Sequence, residues 1–237
     1  MNITNVVFID GRLPENETLI AALGPDTAWF VLDAERDGVQ QMQEILQTYT
    51  GLGSIQVLSH GTSGALYLGS TVLDSSTLAS HQGALRDIGT RLADGGDLLL
   101  YGCNVASGAE GRAFVAALAK STGVDVAASD DLTGLGGDWV LEVASGPIEA
   151  EGLDVQTYGA TLSMIKGTEG DDTLTGDGLE NTLFGYGGAD LIDGEAGPDL
   201  IYGGSGNDTI DGNFGNDTVY GEAGEDVLTD SQGSNWL

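Results

Sequence analysis

Two residues with the chemistry of a nucleophile and a base each follow a short apolar run in the sequence. Cys103, the only cysteine of the 237 residues, follows Asp97–Gly102, Asp-Leu-Leu-Leu-Tyr-Gly. His60, one of two histidines, follows Ser54–Ser59, Ser-Ile-Gln-Val-Leu-Ser. The first run has no polar alternation, and the second, which contains Gln56, is β-prone. Both fit central strands of a parallel sheet, whose carboxyl ends meet at one edge. If the two strands are parallel neighbours, the sulfur and the imidazole emerge side by side, as a thiol–imidazole dyad requires.

The same two residues have a purely structural interpretation. A single cysteine at a strand end is commonly a small buried apolar residue, and a single histidine is commonly a hydrogen-bonded polar one. The dyad hypothesis predicts instead that Cys103 is an accessible, ionisable thiol in a cleft with His60. The backbone N–H groups of Gly61 and Cys103 would then hold the oxyanion of a peptide carbonyl under attack. His81, with no acid or second histidine at ligand spacing, is interpreted as solvated surface.

Strands and helices alternate along residues 1–160, which predicts an α/β domain with a mainly parallel sheet and helices on both faces. Predicted strands lie at Val6–Ile9, Trp29–Leu32, Ser54–Gly61, Asp97–Gly102, Asp125–Ala128 and, at one edge, Trp139–Val143, with a hairpin at Gly64–Leu73. Predicted helices lie at Glu17–Leu23, Asp37–Tyr49 with Asp37 as N-cap, Ser75–Leu92 and Glu110–Lys120. In this arrangement the third and fourth strands deliver His60 and Cys103.

The pairs His60-Gly61 and Gly102-Cys103, each placed after a hydrophobic strand, resemble the dyad of the caspase-like (clan CD) cysteine peptidases, the group of caspases, legumains, gingipains and clostripain. This resemblance implies a three-layer caspase-like fold in which Cys103 is the nucleophile and His60 the base. The chain departs from the caspase pattern Gln-Ala-Cys-Arg-Gly, because it has Tyr101-Gly102-Cys103-Asn104-Val105. The substrate pocket of caspases therefore cannot be transferred to this chain.

Residues 5–153 as a whole are similar to an uncharacterised bacterial domain found at the N-terminus of large RTX-type and cadherin-like surface proteins. The stretches that carry this resemblance are Val7-Phe8-Ile9-Asp10, Leu58-Ser59-His60-Gly61, Leu66-Tyr67-Leu68-Gly69, Tyr101-Gly102-Cys103-Asn104-Val105-Ala106, Ala127-Ala128-Ser129-Asp130-Asp131-Leu132-Thr133-Gly134 and Gly136-Gly137-Asp138-Trp139. The resemblance implies a secreted or cell-surface protein.

From Gly167 onward the sequence is a nine-residue repeat of the form Gly-Gly-x-Gly-x-Asp-x-U-x, in which U is a large apolar residue. The copies are Gly167–Thr175, Gly176–Phe184, Gly185–Asp193, Gly194–Tyr202, Gly203–Asp211, Gly212–Tyr220 and Gly221–Thr229, with a partial copy at Asp230–Leu237. This pattern is that of the RTX calcium-binding nonapeptide, which forms a parallel β-roll. We therefore predict domains at 1–160 and 167–237, joined by a linker at 161–166. RTX arrays resemble one another in type I secretion, and the end of the chain inside a repeat is interpreted either as a fragment of a longer protein or as a different mode of export.

The sixth and eighth positions of the repeat explain how such a roll would bind calcium. Glycines permit the tight turns, carboxylates and turn carbonyls supply hard oxygen ligands, and U side chains fill a thin core. Two nonads make one coil, so the sixth positions fall into two rows. The first row is Asp172, Asp190, Asp208 and Asp226, and the second is Asn181, Asp199, Asp217 and Asn235. We predict weaker calcium binding in the second row because asparagines flank it. A disordered Gly/Asp-rich tail is the alternative that composition alone allows.

The charge of the chain restricts its partners. The net charge is −30, and no lysine or arginine follows Lys166. Such charge repels nucleic-acid phosphate and destabilises a compact state unless cations neutralise it, which again indicates calcium. The first ten residues contain no basic region and are interpreted as a strand, not a signal peptide, and no apolar run reaches transmembrane length.

The preferred function from the sequence is a secreted calcium-dependent cysteine peptidase that acts on protein or peptide substrates, including its own linker. The clostripain and gingipain branches of the resembling clan select Arg or Lys with acidic pocket residues, which suggests a pocket formed by Ser129, Asp130 and Asp131 and self-cleavage after Lys166. Alternatively, Asp130 and Asp131 only cap a turn. The rival function is a non-catalytic adhesion or assembly module on a calcium-stiffened spacer.

Overall fold

The computed structural model describes residues 3–134, 137–153, 155, 157–158, 162, 164–176, 178 and 180–229, and the chain divides into two compact units, Met1–Leu162 and Ser163–Leu237. The position of the division differs from the predicted linker at 161–166, of which residues 161 and 163 lie outside the described part. Ile165–Lys166 is a strand that pairs with a strand of the second unit, so these two residues belong to that unit.

The first unit contains a six-stranded sheet in which five strands are parallel to one another and the last is antiparallel to the strand beside it. Its elements in chain order are β1 (Asn5–Asp10), α1 (Asn16–Ala21), β2 (Thr27–Leu32), α2 (Gly38–Leu46), β3 (Leu52–Leu58), β4 (Gly61–Thr62), β5 (Ala65–Leu68), β6 (Thr71–Asp74), α3 (Leu78–Gly89), β7 (Leu92–Tyr101), α4 (Gly108–Thr122), β8 (Asp125–Ala128) and β9 (Val143–Ala144). The strand order is β2-β1-β3-β7-β8-β9, and β4-β5-β6 form a small separate antiparallel sheet. The prediction of an α/β domain with a mainly parallel sheet is confirmed.

Alternating side chains of the central strands divide the core of this unit into two clusters, as the two-residue period of a strand requires. Val6 and Phe8 pack in the cluster that contains the apolar faces of α2, α3 and α4. Val7 and Ile9 pack in the opposite cluster, which contains Leu19 of α1 and apolar residues from the segment 139–162. The second face is therefore covered by one short helix and by apolar side chains that lie between Trp139 and Leu162 in the sequence, among them Val155 and Tyr158.

The predicted edge strand at Trp139–Val143 is shorter in the structure. Only Val143–Ala144 is a strand, antiparallel to β8. Trp139 lies instead on the second face, with its ring 5.8 Å from that of Tyr101 and 6.0 Å from that of Tyr158. Burial of this large indole against two other aromatic rings accounts for the path of the chain, which crosses the sheet before it joins the edge.

His81 is not the freely solvated residue that the sequence predicts. Its Nε2 lies 2.9 Å from Oδ2 of Asp37, and its Nδ1 lies 3.0 Å from the carbonyl oxygen of Thr77. Burial alone would lower the pKa of His81, but the hydrogen bonds to Asp37 and Thr77 outweigh it and raise the pKa. Asp37 also caps α2, as predicted, because its side chain accepts a hydrogen bond from the N–H of Gln40 at 2.9 Å. The sequence does not predict the contact between His81 and Asp37, because the two residues are 44 positions apart.

The second unit consists of two four-stranded parallel sheets. Its strands are β10 (Ile165–Lys166), β11 (Thr173–Thr175), β12 (Thr182–Gly187), β13 (Leu191–Asp193), β14 (Leu200–Ser205), β15 (Thr209–Asp211), β16 (Thr218–Ala223) and β17 (Val227–Thr229). The even-numbered strands form one sheet and the odd-numbered strands the other. Successive strands of a sheet therefore come from alternate nonads, as predicted for a β-roll.

The eighth-position side chains fill the core of the roll. Those of the described nonads that are buried are Leu174, Leu183, Ile192, Ile201, Ile210 and Val219. Leu228 is partly buried against them. The partial nonad Asp230–Leu237, with Asn235 of the second row and the eighth-position Leu237, lies outside the described residues.

Candidate functional site

Register places His60 and Cys103 at the same level of the first unit. β3 and β7 are parallel neighbours, and Leu58 pairs with Tyr101. His60 and Cys103 each follow two residues beyond these partners, at the carboxyl edge of the sheet. Since neighbouring strands lie about 4.8 Å apart, the sheet brings the two residues to adjacent positions.

The two loops that leave these strands pack tightly against each other. A Cβ added to Gly61 would lie 2.4 Å from Cγ2 of Val105 and 2.9 Å from the carbonyl oxygen of Cys103. A Cβ added to Gly102 would lie 2.9 Å from the carbonyl oxygen of Ser59. Glycine at both positions is therefore what allows the His60 loop and the Cys103 loop to approach so closely.

The thiol of Cys103 is buried, which differs from the accessible thiol that the dyad hypothesis predicts. The residue is 0% exposed, and its Sγ accepts a hydrogen bond from the N–H of Thr133 at 3.1 Å and lies 3.5 Å from the carbonyl oxygen of Thr133. Burial raises the pKa of Cys103 to about 11, although hydrogen bonds from the backbone N–H groups of Thr133 and Leu162 partly offset the increase. In this conformation the sulfur is a neutral thiol at pH 7.

His60 is also 0% exposed, and its ring contacts the chain that follows the sheet. Its Nδ1 lies 3.3 Å from the carbonyl oxygen of Leu162. Since a carbonyl only accepts, Nδ1 carries a hydrogen where it faces Leu162. Nε2 is buried and makes no hydrogen bond of normal geometry, although the backbone of Arg12 also interacts with the ring. Burial lowers the pKa of His60 to about 4, against the opposing effect of the Asp10 carboxylate, and the Arg12 guanidinium lowers it further.

The backbone of Leu162 links the two halves of the dyad. Its carbonyl oxygen faces His60, and its N–H donates to the carbonyl oxygen of Thr133 at 2.9 Å, the same oxygen that lies next to the Cys103 sulfur. Leu162 is 0% exposed and belongs to the apolar cluster that contains Cys103. The hydroxyl oxygen of Thr133 is buried without a hydrogen-bond partner. The thiol and the imidazole are therefore buried against main chain.

Four residues that the sequence did not single out contribute to this site. Asp10 is buried at the end of β1, next to β3, where it pairs with Arg12 at 2.9 Å and accepts a hydrogen bond from the N–H of Gly69 at 2.6 Å. An aspartate directly after a strand of the same sheet edge is a signal that could have identified it. Thr133 and Leu162 lie in irregular chain, where no residue periodicity marks them.

The predicted substrate-pocket residues lie beside the Cys103 loop in different environments. The backbone carbonyls of Ser129 and Asp131 accept hydrogen bonds from the N–H groups of Ala106 and Asn104, at 2.8 and 2.7 Å. Ser129 is 0% exposed, with its hydroxyl 3.2 Å from the carbonyl oxygen of Asp131, so its side chain does not face solvent. Asp130 is half-buried.

The exposed carboxylate of Asp131 has acidic neighbours that the sequence did not predict. Carboxylate oxygens of Asp131, Asp138 and Glu142 all lie within 4.8 Å of one another, and Glu142 also accepts a hydrogen bond from the N–H of Asp130 at 3.0 Å. The structure thus gathers three acids near the Cys103 loop. Lys166, the predicted cleavage residue, is exposed in β10 of the second unit.

The sixth-position carboxylates of the roll form a ladder of hydrogen bonds from coil to coil. The N–H of Asp172 donates to Oδ1 of Asp190, that of Asp190 to Oδ1 of Asp208, and that of Asp208 to Oδ1 of Asp226, at 2.8 to 3.0 Å. In the second row Asn181 donates to Asp199, and Asp199 to Asp217, both at 2.8 Å. One oxygen of each accepting carboxylate is therefore used by the fold.

The other carboxylate oxygens are placed where a hard cation would bind. Oδ2 of Asp190 and Oδ2 of Asp208 are buried and accept no hydrogen bond. A Cβ added to Gly185 would lie 2.3 Å from Oδ2 of Asp190 and 2.3 Å from the carbonyl oxygen of Gly203, so carboxylate and carbonyl oxygens converge on a glycine cradle. This donor set of carboxylate and backbone oxygens is the one that Ca²⁺ prefers.

Electrostatics and sequence distinguish positions within the two rows. Burial raises the pKa of Asp190, and the neighbouring carboxylates of Asp208, Asp172 and Asp171 raise it further. A divalent cation would relieve this repulsion. At the start of the second row, Asn181 presents its amide oxygen near Gly176, in the position where the first row has a carboxylate. The reduced charge there supports the prediction of weaker binding in that row, which stays a prediction.

These features define a two-part protein: an α/β unit with a buried thiol and imidazole, followed by a calcium-binding β-roll. Residues 6–162 match the model of the family described as "Domain of unknown function (DUF4347)", and since this match spans more than half of the 237 residues, the chain belongs to that family. Residues 166–201, 193–228 and 202–237 match the RTX calcium-binding nonapeptide repeat (4 copies), and these repeats bind Ca²⁺. Searches of curated proteins and of solved structures give no match. In the described part of the chain, helices are too short or too polar to cross a membrane.

Proposed function

We propose that this protein is a secreted, calcium-dependent cysteine peptidase of the caspase-like kind. The observation that carries the proposal is the matched register of His60 and Cys103 on adjacent parallel strands. A parallel sheet presents such a pair at the edge where ligands bind. The backbone of Leu162 contacts both His60 and Cys103. Two polar residues buried for unrelated reasons would not need to share such a contact.

In the proposed reaction, His60 takes the proton of the Cys103 thiol, and the thiolate attacks a peptide carbonyl carbon. The backbone N–H groups of Gly61 and Cys103 hold the oxyanion, and the imidazolium of His60 protonates the leaving amine. Water then hydrolyses the thioester. The pKa values of about 11 for Cys103 and about 4 for His60 follow mainly from the burial of both groups in this arrangement. Proton transfer between the two groups therefore requires that the Leu162 segment be displaced and that water or substrate enter.

The self-processing component of the proposal concerns Lys166. Asp130 and Asp131 beside the Cys103 loop would favour a basic residue before the scissile bond, and the nearby carboxylates of Asp138 and Glu142 add to this negative charge. Lys166 is exposed and basic at the start of the roll. Cleavage after Lys166 would separate the α/β unit from its calcium-binding array.

Secretion is part of the same proposal. RTX repeats are typical of proteins that leave bacteria by type I secretion, and extracellular calcium-binding modules commonly bind with dissociation constants on the order of 10⁻⁴ to 10⁻³ M. We therefore place the protein outside the cell or at its surface. The roll would then bind calcium after the protein has left the cell.

A second candidate is a non-catalytic adhesion or assembly module on a calcium-stiffened spacer. The observation that favours it is the complete burial of both His60 and Cys103. A thiol whose pKa is raised to about 11 and that lies away from solvent is inert in the manner of a structural cysteine.

Hydrolysis of fluorogenic peptides by the full chain in calcium discriminates the two functions. The peptides should present Lys, Arg, Leu and Asp before the reporter. We expect hydrolysis by the native protein that is lost in Cys103→Ala and falls by a factor on the order of 10² to 10⁴ in His60→Ala. His81→Ala is the matched control and should retain activity. Failure of every peptide, together with no covalent adduct on Cys103 from peptidyl electrophiles, would favour the adhesion module.

A further inference from the structure

The two sheets of the roll differ in the side chains on their outer faces. The ninth residue of the nonad is aromatic in β12, β14 and β16, where it is Phe184, Tyr202 and Tyr220, and these rings stack on one another. Tyr186 adds a fourth ring, 6.0 Å from that of Phe184. The strands of the other sheet contain no aromatic residue. One sheet of the roll therefore carries an aromatic surface that its partner sheet does not have.

A gap lies beside these rings on the same sheet. Tyr186, Gly204 and Glu222 occupy the second position of three alternate nonads and are direct partners across β12, β14 and β16. Since neighbouring strands are about 4.8 Å apart, the backbones of Tyr186 and Glu222 lie roughly 10 Å apart, with Gly204 between them. A Cβ added to Gly204 would lie 2.2 Å from the carbonyl oxygen of Tyr186, so this position cannot carry a side chain. We call the gap the Gly204 notch.

The Gly204 notch is a small cavity with both aromatic and polar walls. Its volume is about 260 Å³. Pockets for drug-sized ligands hold roughly 300 to 1,000 Å³, so the notch suits one side chain or a headgroup of similar size. Its lining includes Phe184, Tyr186, Tyr202, Gly204, Ser205 and Glu222.

Tyr186 and Glu222 stand where the repeat favours glycine. The φ angle at this second position is 73° at Tyr186, 106° at Gly204 and 67° at Glu222, in the region that residues with a Cβ disfavour. Glu195 and Asn213 have the same conformation at the second position of other nonads. The strain therefore marks a site only together with the rings and the cavity, which Tyr186 and Glu222 share.

The charge of the notch favours a cationic group. No lysine or arginine follows Lys166 in the sequence, and the chain has a net charge of −30. Calcium at the sixth positions would cancel part of the charge of the roll, but Glu222 lies outside those rows and remains the local anion. A guanidinium is planar, stacks on aromatic rings and forms paired hydrogen bonds to a carboxylate, whereas an ammonium matches only the charge.

We propose that the Gly204 notch binds an arginine side chain of a protein partner, with its guanidinium between the ring of Tyr186 and the carboxylate of Glu222. Free arginine is a poorer ligand, because its own carboxylate is repelled by the acidic chain. The proposal does not depend on the peptidase activity, since every residue that it uses belongs to the roll. It gives the aromatic sheet a role in recognition in addition to the calcium binding of the turns.

The test is a titration of the calcium-saturated full chain with the peptide acetyl-Gly-Arg-Gly-amide, followed by NMR. The chain carries Cys103→Ala, so that the proposed peptidase cannot hydrolyse the peptide. We expect the backbone amide signals of residues 186, 204 and 222 to shift and to reach saturation. Peptides with lysine or with citrulline, which has a similar shape without the charge, should bind about tenfold more weakly.

Two variants of the notch and one matched control localise the binding. Glu222→Gln should weaken it about tenfold, and Tyr186→Gly, which restores the glycine of the repeat, should abolish the shifts at residues 204 and 222. Glu195→Gln removes a carboxylate with the same backbone conformation, φ 68°, from another nonad and should leave the affinity unchanged. Far-UV circular dichroism in calcium shows that the roll of each variant has formed.

Several results would overturn the proposal. Equal affinity of the native, Glu222→Gln and Glu195→Gln chains would mean that the peptide follows the overall charge. Shifts confined to Asp130 and Asp131 would support the substrate pocket of the peptidase and remove the notch as a site. Equally tight binding of free arginine would exclude a preference for a protein partner. Saturable binding at the notch by a protein that hydrolyses no peptide would support the proposal while the proposed function fails.

Discussion

Both units bury polar atoms without partners, but they do so in different ways. In the roll the unpartnered atoms include Oδ2 of Asp190 and Oδ2 of Asp208, which recur at an 18-residue interval. In the α/β unit they include Nε2 of His60 and Oγ1 of Thr133, which come from unrelated loops. The first arrangement is a periodic site for a cation. The second is a single site assembled by the tertiary fold.

The periodic site and the single site differ in the ligands that we expect them to require. Carboxylates stacked in a row repel one another, so we expect the roll to need cations for its stability. The atoms around the dyad are neutral in this conformation, because burial shifts the pKa of His60 down and that of Cys103 up. We therefore expect the roll to respond to calcium, and the α/β unit to respond to pH and not to calcium.

Removal of calcium should have the largest effect and should be confined to the roll. With chelator, residues 164–229 should lose their strands, because the acids of this region have no basic residue except Lys166 to neutralise them. Far-UV circular dichroism of the full chain, with and without calcium, measures the loss, and magnesium is the control cation. Protease resistance of the α/β unit should persist in chelator. An unchanged spectrum would contradict the calcium dependence of the fold.

Acid should destabilise the α/β unit through His60. The unfolded state binds a proton below pH 6.5, whereas the folded state binds it only near pH 4, so the unfolding free energy falls as the pH drops between these values. The expected loss is on the order of 3 kcal/mol. Asp10 and Arg12 are the charged groups that act on this ring. Urea midpoints followed by tryptophan fluorescence at pH 7 and pH 4 should show a shallower loss in His60→Gln.

His81 provides a control of opposite sign. Its pKa is raised by Asp37, so its contribution to stability is present below the unfolded pKa and is lost as the pH rises through the folded pKa. His81→Gln should therefore steepen the acid-induced loss of stability, whereas His60→Gln should reduce it. If the unfolding free energies of the two variants fall with pH in the same way, burial does not lower the pKa of His60.

Neutralising carboxylates of the first row should weaken calcium binding. In Asp190→Asn and Asp208→Asn we expect the calcium midpoint of folding to rise about tenfold, which corresponds to about 1.4 kcal/mol. Asparagine keeps the oxygen that accepts the hydrogen bond along the ladder, so the change tests charge and not shape. Glu225→Gln removes an equal charge from an exposed position of the same roll and should shift the midpoint far less. Equal shifts would indicate a general charge effect.

Much of the roll could be predicted from sequence because one rule repeats. Each nonad specifies its turn glycine, its ligand and its core residue, so a single motif locates Asp190, Asp208 and Ile201 without any long-range knowledge. The start of the repeat is an exception in the described part of the roll: Ile165–Lys166 lacks the motif, so the sequence predicts a linker there, whereas these residues pair with β12. Ile165–Lys166 becomes a strand because it pairs with the edge of the sheet at β12, and such a tertiary contact leaves no pattern in the local sequence.

The α/β unit could be predicted in its strands but not in its covering. Apolar runs located β3 and β7, and their shared edge followed from parallel pairing. The burial of Cys103 could not be predicted, because it is caused by Thr133 and Leu162, which lie 30 and 59 residues further along the chain in irregular segments. Irregular chain has no period of 2.0 or 3.6 residues by which sequence patterns are recognised.

The smallest expected effect concerns the outer face of the roll, where aromatic rings stack from coil to coil. The rings of Phe184 and Tyr202 lie 4.7 Å apart at 6°, and those of Tyr202 and Tyr220 lie 5.0 Å apart at 16°. These separations match the strand spacing of about 4.8 Å, so the rings reinforce the register that the parallel strands set. Aromatic pairs contribute about 0.5 to 1.5 kcal/mol beyond the area they bury.

Replacement of the middle ring breaks two such contacts at once. Tyr202→Leu removes the ring but keeps an apolar side chain, so we expect the calcium-loaded roll to lose about 1 kcal/mol of unfolding free energy while calcium affinity per site is retained. Phe214→Leu is the matched control, because this ring is 56% exposed in the same unit. A loss in Tyr202→Leu no larger than that in Phe214→Leu would mean that the ladder of cations and carboxylates fixes the register alone. A larger loss would mean that the stacked rings on the outer face of the roll stabilise its sheets in addition to the side chains of its thin core.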